Sequence, residues 1–328
     1  MKMLNLNQLT IRTFSPHQDI PLVLSLRAAV EAVDQEGIEI NEQILRDQLN
    51  LPGHDPIHDR WVIQAPDNTS LLIGSALIRL APGSRTADAD ILVHPDWRHL
   101  GVGDVLFSRV QERANQLGAK SIQIFANSRN TGSMRFLQQH GFTSQGVYTE
   151  LQLSADIKQP PVIWPYGYVM RTYSEVQDLS VVTEAMNQCY IPLWGHRSIS
   201  EAEMASWLPG FNPQGLFLVF SEKGRVVGIS RTEPSPQRTL KNGQPTGYID
   251  APGVVPQHRR LDLYRALVLT GIRWLRGQGQ IQIEMESWGD KLEVLKIYRE
   301  LGFKDIRQII CHEIELPNKE VSDVPVSP

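Results

Sequence analysis

The sequence predicts a mixed α/β fold built twice, as two domains that each hold a central mixed β-sheet flanked by helices. Three observations predict it. The chain has 328 residues, which at roughly 150 residues per domain gives two. Landmarks recur at one offset: Pro95 and Pro256, Arg98 and Arg259, and Gly141 and Gly302 are each 161 positions apart, the mark of one supersecondary plan used twice. Within each half the apolar period switches between two and about 3.6, so strands alternate with helices.

Each half opens on a short strand-like stretch ending in Arg, Thr and an aromatic: Arg12-Thr13-Phe14 and Arg171-Thr172-Tyr173. Residues 61–63 and 71–80 read as strands around a turn at Pro66-Asp67-Asn68, and 87–93 as a further strand. After Gly101 the period becomes helical, with Val102, Val105, Leu106, Val110, Ala114 and Leu117 on one stripe and Gly118 as the stop. Residues 121–126 alternate like a strand, and 132–140 read as a short helix ended by Gly141. The second half repeats this, with strands at 215–220, 225–232, 247–255 and 281–286 and helices at 261–276 and 292–301. Pro160, Pro161 and Pro165 predict a linker over 154–167, since proline removes ladder donors and disfavours helix. The expected domains are therefore 1–153 and 168–316, with 317–328 as a frayed tail.

Composition narrows the function classes. With 41% apolar and 21% charged residues the bulk of the chain is expected to be ordered. Thirty-two Lys and Arg against 36 Asp and Glu leave a net charge of −4, which argues against a nucleic-acid partner, because phosphate neutralisation needs clustered cations. Cys189 and Cys311 have no metal-ligand spacing and read as reduced thiols. No apolar run reaches the 18 or so residues of a membrane span, and no signal-peptide core is seen, so a cytoplasmic protein without a membrane partner is expected. His54 and His58 are four apart, but Pro56 between them argues against a helix and no third ligand is evident, so no metal is expected.

The segment 91–106 carries the chemistry. A strand ends at Val93, a loop follows, and Arg98-x-x-Gly101-x-Gly103 sets two residues without Cβ at a helix start. Such a turn aims several backbone N–H groups, and the positive end of the helix dipole, in one direction, which suits a phosphate or diphosphate. A dinucleotide fingerprint would need a third glycine where Leu106 stands, and a Walker loop would need Gly-Lys-Ser/Thr.

Val93-x-Pro95-x-x-Arg98-x-x-Gly101-x-Gly103, followed by a helix with Leu106, resembles the acetyl-CoA loop of the GNAT (GCN5-related N-acetyltransferase) superfamily. Asn130-x-x-Ser133-x-x-Phe136-Leu137 with Gly141-Phe142 resembles its later motif. The resemblance covers both halves. The tandem arrangement, with Trp194-Gly195-His196 early in the second half, is distantly similar to the mycothiol synthase-type double-GNAT group. It implies an N-acetyltransferase in which acetyl-CoA is the co-substrate and a primary amine, on a small molecule or a peptide, attacks directly. It implies that the diphosphate rests on the N–H groups of Arg98, His99, Leu100, Gly101, Val102, Gly103 and Asp104. It also implies that the pantetheine arm pairs with the backbone of Leu92 and Val93, where two parallel strands splay after Val93, and that Asn130 touches the cofactor. From the residues alone, Asn130 reads equally as a helix N-cap.

The second half departs from the pattern. Asp262 and Tyr264 stand in place of both glycines, so this copy is expected to bind CoA poorly. Tyr298 stands where the family often has an acid for the leaving thiolate, and Leu137 takes that place in the first half. For the base that deprotonates the amine, the candidates are Asp90, with Asp88 on the same strand face, and in the second half Glu284 and Asp250. Chemistry in the first half, chemistry in the second through Tyr298 and Glu284, and a CoA-binding sensor without turnover all remain open at this stage. The oligomeric state and the amine are not readable.

Overall fold

A computed structural model describes residues 9–36, 41–193 and 196–317. The chain forms two compact units: one runs to Gln145 and resumes at Ile310, and the other is Gly146–Ile309. Against the expected contiguous domains 1–153 and 168–316, residues 146–153 fall in the second unit and 310–316 in the first. The reason is strand pairing, which the local pattern of a strand does not encode.

In chain order the first unit is built from β1 (Ile11–Thr13), α1 (Pro16–Asp34), α2 (Glu42–Leu49), β2 (Arg60–Ala65), β3 (Asn68–Arg79), β4 (Thr86–Val93), α3 (Val102–Leu117), β5 (Ser121–Asn127), α4 (Thr131–Gln139) and the start of β6 (Thr143–Leu153). The second holds β7 (Tyr168–Thr172), α5 (Tyr173–Val176), α6 (Leu179–Cys189), α7 (Glu201–Trp207), β8 (Leu216–Ser221), β9 (Val226–Pro234), α8 (Pro236–Asn242), β10 (Thr246–Asp250), β11 (Gly253–Val254), α9 (Leu261–Gly277), β12 (Gln282–Trp288), α10 (Leu292–Glu300) and most of β13 (Lys304–Glu315). In the first unit the strand order is β1-β2-β3-β4-β5, then the end of β13. In the second it is the start of β13, then β6-β12-β10-β9-β8-β7, with β11 beside β9. Pairing is antiparallel through β1–β4 and parallel between β4 and β5. Likewise β7–β10 pair antiparallel and β10–β12 parallel. The mixed sheet flanked by helices is the expected one, twice.

Strand alternation sends side chains to two helical layers. In β2 and β3, Val62 and Leu72 join Ile20, Val23 and Leu26 of α1 and Leu45 of α2. Their neighbours Ile63 and Ile73 join Leu106, Phe107 and Val110 of α3 on the opposite face. The second unit repeats this, with Leu218 and Ile229 against α6 and Phe217, Val219 and Val227 against α9 and α10. The predicted linker has no regular element, yet Ile157, Val162 and Trp164 pack on that second core. The expected strand over 247–255 is two pieces, β10 and β11. Residues 318–328 of the expected tail, and Trp194-Gly195, lie outside the described residues. Among the described residues no helix is long and apolar enough to cross a membrane.

Because Leu106 is fully buried at the centre of the first core and Leu240 is 86% exposed, Leu106→Ala is expected to cost about 2–5 kcal/mol. Leu240→Ala should stay within about 0.5 kcal/mol. Urea unfolding of both variants checks this.

Candidate active site

The loop between β4 and α3 is shaped by backbone. A 3-10 turn at Pro95–Trp97 is closed by Trp97 N–H to His94 O at 2.9 Å. Two left-handed residues follow, His99 at φ 61° and Gly101 at φ 84°. They tip the chain so that α3 starts with its N–H groups turned out, and the first capping bond is Val105 N–H to Gly101 O at 3.1 Å. Among the described residues, the N–H groups of His99 through Asp104 have no protein acceptor. Several bare donors at a helix N-terminus form a cradle for an anion. Gly103 has a second reason to lack a side chain, since a Cβ there would stand 3.0 Å from the Phe136 ring of α4. Asp104 is exposed and pairs with His140 at 2.9 Å.

Beside the cradle, β4 has a free edge. Parallel pairing of β4 with β5 ends at Ala89 opposite Ile124, whereas pairing with β3 continues to Val93. The splay therefore opens at Asp90, earlier than the expected break after Val93, and Leu92 and Val93 lie on the unpaired stretch.

The polar side chains around this edge have partners that the sequence did not reveal. Arg98 sends both terminal nitrogens to Asp34, the last residue of α1, at 2.7 and 2.8 Å. Asn130 caps α4 by accepting from Ser133 N–H at 3.0 Å, and its amide donates to Asp34 and to Glu36, each at 3.0 Å. Asp90 is ion-paired with Arg27 of α1, and Asp88 with Arg79. Glu36 is half-buried, and burial above all, with Asp34, Glu31 and Asp90 adding repulsion, raises its carboxyl above the usual range. Asp34 and Glu36 were missed because they end and follow a helix that was itself not foreseen. Nothing in a single sequence marks them as neighbours of Asn130.

The second unit closes the matching place. Helix α9 begins at Leu261, with Arg260 in extended geometry at φ −117°. No left-handed residue occurs from Gly253 to Gln278. The N–H groups of Leu263 and Tyr264 both donate to Arg260 O, at 3.1 and 3.4 Å. Asp262 is paired with Arg260, and Tyr264 is 5% exposed within the core. Past the end of β10, Tyr190 donates its hydroxyl to Ala251 O at 3.2 Å.

Tyr298 is fully buried, and its hydroxyl donates to Asp290 at 3.3 Å, as does Ser287 Oγ at 2.6 Å. Burial pushes the Asp290 carboxyl up to about 6 and the Tyr298 hydroxyl well above its usual value. Glu284 receives Arg238 at 2.6 Å, Asn242 at 2.8 Å and Gln282 at 3.1 Å. Burial works to raise this carboxyl, but those bonds outweigh it and hold it below the usual range. Asp250 is paired with Arg231 and accepts from Tyr248. The structure thus gathers the first unit's predicted loop residues with Asn130 at one strand end, and ties Tyr298 and Glu284 into separate networks of the second unit. A cleft of about 700 Å³ in that unit, lined by Trp164, Phe217 and Trp274, holds none of the predicted residues.

The remaining candidates have local partners. His54 contacts Ile78 O and Arg60, whereas His58 contacts Asp55. Among the described residues no group of three His, Cys, Asp or Glu is placed to hold a metal. His196 bonds Asn187 O at 3.0 Å, and Arg197 pairs with Glu203. Cys189 and Cys311 are free and buried.

A sequence model of the acetyltransferase (GNAT) family matches residues 28–142 and again 179–303. A mycothiol acetyltransferase of Saccharomonospora viridis is 28% identical over 225 residues, covering 66% of this chain and 71% of that relative. Another from Geodermatophilus obscurus is 26% identical over 297 residues, covering 87% and 90%. Among solved structures, a GCN5-related N-acetyltransferase from Sphaerobacter thermophilus superposes with TM-score 0.68 at 19% identity, covering 96% of this chain and 97% of that one. A tandem GNAT protein from the clavulanic acid biosynthesis pathway, described as without AcCoA, gives 0.60 at 17% identity, covering 95% and 100%. At such identities the two structures bear on the fold alone.

The Asp290 network carries a pH dependence. A carboxyl raised from 3.8 to about 6 on folding favours the protonated folded state. Its contribution is complete below about pH 4, and stability falls as pH rises to about 6, by up to about 3 kcal/mol. Asn at this position keeps an oxygen to accept from Ser287 and Tyr298 without the buried charge. Asp290→Asn is therefore expected to raise the thermal midpoint at pH 7.5 and to leave it nearly unchanged at about pH 3.5, which calorimetric scans at both pH values check.

Proposed function

The chain belongs to the acetyltransferase (GNAT) family, and from that premise we propose that its first unit holds acetyl-CoA and passes the acetyl group to a primary amine on a small molecule. The carrying observation is the set of bare N–H groups from His99 to Asp104, set out by left-handed residues at His99 and Gly101. A diphosphate supplies the acceptors those donors lack. The unpaired edge at Leu92 and Val93 offers the pantetheine arm a strand to pair with, and a backbone N–H there is suited to the oxyanion of the thioester carbonyl. The matching loop of the second unit has no left-handed residue, carries the Asp262 carboxylate and buries Tyr264, so one CoA per chain is expected. The relatives' name supports a small-molecule rather than a peptide acceptor.

In the reaction the amine nitrogen bonds to the acetyl carbonyl carbon, the C–S bond breaks, and CoA leaves as thiolate, tolerable for a thiol of pKa about 8.5. The amine must first lose a proton, which for an ordinary amine at pH 7 costs about 4–5 kcal/mol. Glu36 is the better base than Asp90, because Asp90 is held by Arg27 while the raised carboxyl of Glu36 lies nearer the working pH. The contacts of Tyr298 and Glu284 favour structural roles for both.

Titration calorimetry with CoA is expected to give one site per chain. Gly101→Asp, which puts a side chain on a left-handed residue and a carboxylate at the cradle, should weaken it at least about tenfold with the circular dichroism unchanged. Two equivalent sites, or undiminished binding by Gly101→Asp, would overturn the assignment. Glu36→Gln should lower CoA release with a panel of small amines by about 10²–10⁴-fold and remove the acidic limb of the pH–rate profile. Its CoA affinity should stay within about twofold.

A further inference from the structure

We propose that Arg98 is a strut rather than a phosphate ligand: its guanidinium ties the end of α1 to the cofactor loop, and so positions that loop and the neighbouring Glu36. The inference rests on the reading that the first unit holds CoA.

The first argument is occupancy. Nε of Arg98 points back to Val93 O at 3.4 Å, and both terminal nitrogens go to Asp34 in a two-pronged pair. That geometry uses the planar face of the guanidinium that a diphosphate would need. Asp34 is 9% exposed and also receives Asn130. One carboxylate thus joins three elements, the end of α1, the loop and the start of α4. Just after it the chain turns left-handed at Gln35, φ 50°, a conformation a residue with Cβ holds only when its surroundings require it, and Glu36 follows at once.

The second argument is the repeat, which serves as an internal control. Arg259 stands 161 positions later, in the loop that lacks both glycines and the left-handed turn. A phosphate ligand would have no work there. Yet Arg259 makes the same reach: its Nε donates to Val254 O at 2.9 Å, and a terminal nitrogen goes to the carbonyls of Cys189 and Ile191, at the end of α6. Helix α6 occupies the place in the second unit that α1 occupies in the first. With the turn absent and the contact pattern present, the pattern belongs to the scaffold.

The two roles predict opposite signs for one substitution. If Arg98 bound the diphosphate, Asp34→Ala would release it and tighten CoA. As a strut, Arg98→Ala and Asp34→Ala should each weaken CoA by about tenfold or more, and the double variant should be no worse than Asp34→Ala alone, which already removes the Arg98 link along with that to Asn130. Calorimetry with CoA reads this, and hydrogen exchange of residues 98–104 in the unliganded protein should rise in both single variants. Arg98→Lys and Asp34→Asn, milder changes that keep one hydrogen bond, should give intermediate losses and serve if the alanine variants fold poorly. Arg259→Ala should lower the thermal midpoint but leave CoA affinity unchanged. Tighter or unchanged CoA binding by folded Asp34→Ala, or unaltered exchange in 98–104, overturns the strut. A wild-type chain that binds no CoA, with exchange still raised in the variants, overturns the functional reading instead and leaves the mechanical link standing.

Discussion

The head of α3 presents donors that the protein itself does not use, and this follows from two backbone residues on the left-handed side, His99 and Gly101. Everything proposed about the site depends on that constraint. The matching start of α9 has no left-handed residue, and there Leu263 N–H, one position before the ordinary helical bond of Tyr264, already turns onto Arg260 O. The choice costs the first unit some backbone strain at His99. Among the described residues it leaves the N–H groups from His99 to Asp104 without a protein acceptor, which is what the proposed diphosphate site requires.

The repeat separates scaffold from function without any comparison to other proteins. Both units share the antiparallel run, the parallel pair that parts, and the arginine that braces the first helix. They differ in what fills the parting strands. The first has an open edge and a glycine beside Phe136. The second has Tyr264 in the core, Tyr190 bonded to Ala251 O, and Tyr298 bonded to Asp290. Two hydroxyls are spent on protein acceptors and the third tyrosine is packed into the core, with Asp290 held beside them as a carboxyl that burial forces up to about 6.

Much of this was legible in the sequence, because glycines, prolines and apolar periods are local signals. The strand order of each hairpin, α3 and α9, the 161-residue offset and the cradle all read directly. Helix α1 did not: Pro16 opens it, where proline is tolerated, but Pro21 lies inside it, where a proline argues against helix. The final strands β6 and β13 were also missed, and with them the unit boundaries, because an alternating strand names its faces but not its neighbours. Among site residues, the backbone contributors were recognisable from the turn they make. Among the side-chain contributors Asn130 was singled out, but Asp34 and Glu36 were not, because they meet it only through tertiary folding.

That difference bears on where the catalytic base should be sought. Strand carboxylates such as Asp90 and Glu284 attract notice in a sequence because their register with the cofactor edge can be counted. In this chain helices packed on the strands bring an arginine to each, Arg27 of α1 to Asp90 and Arg238 of α8 to Glu284. Glu36 accepts from Asn130, and burial above all, with acidic neighbours, raises its carboxyl. On the proposed reading the countable acids serve structure, and the proton acceptor lies on the loop after α1, beside the pair of Asp34 and Arg98.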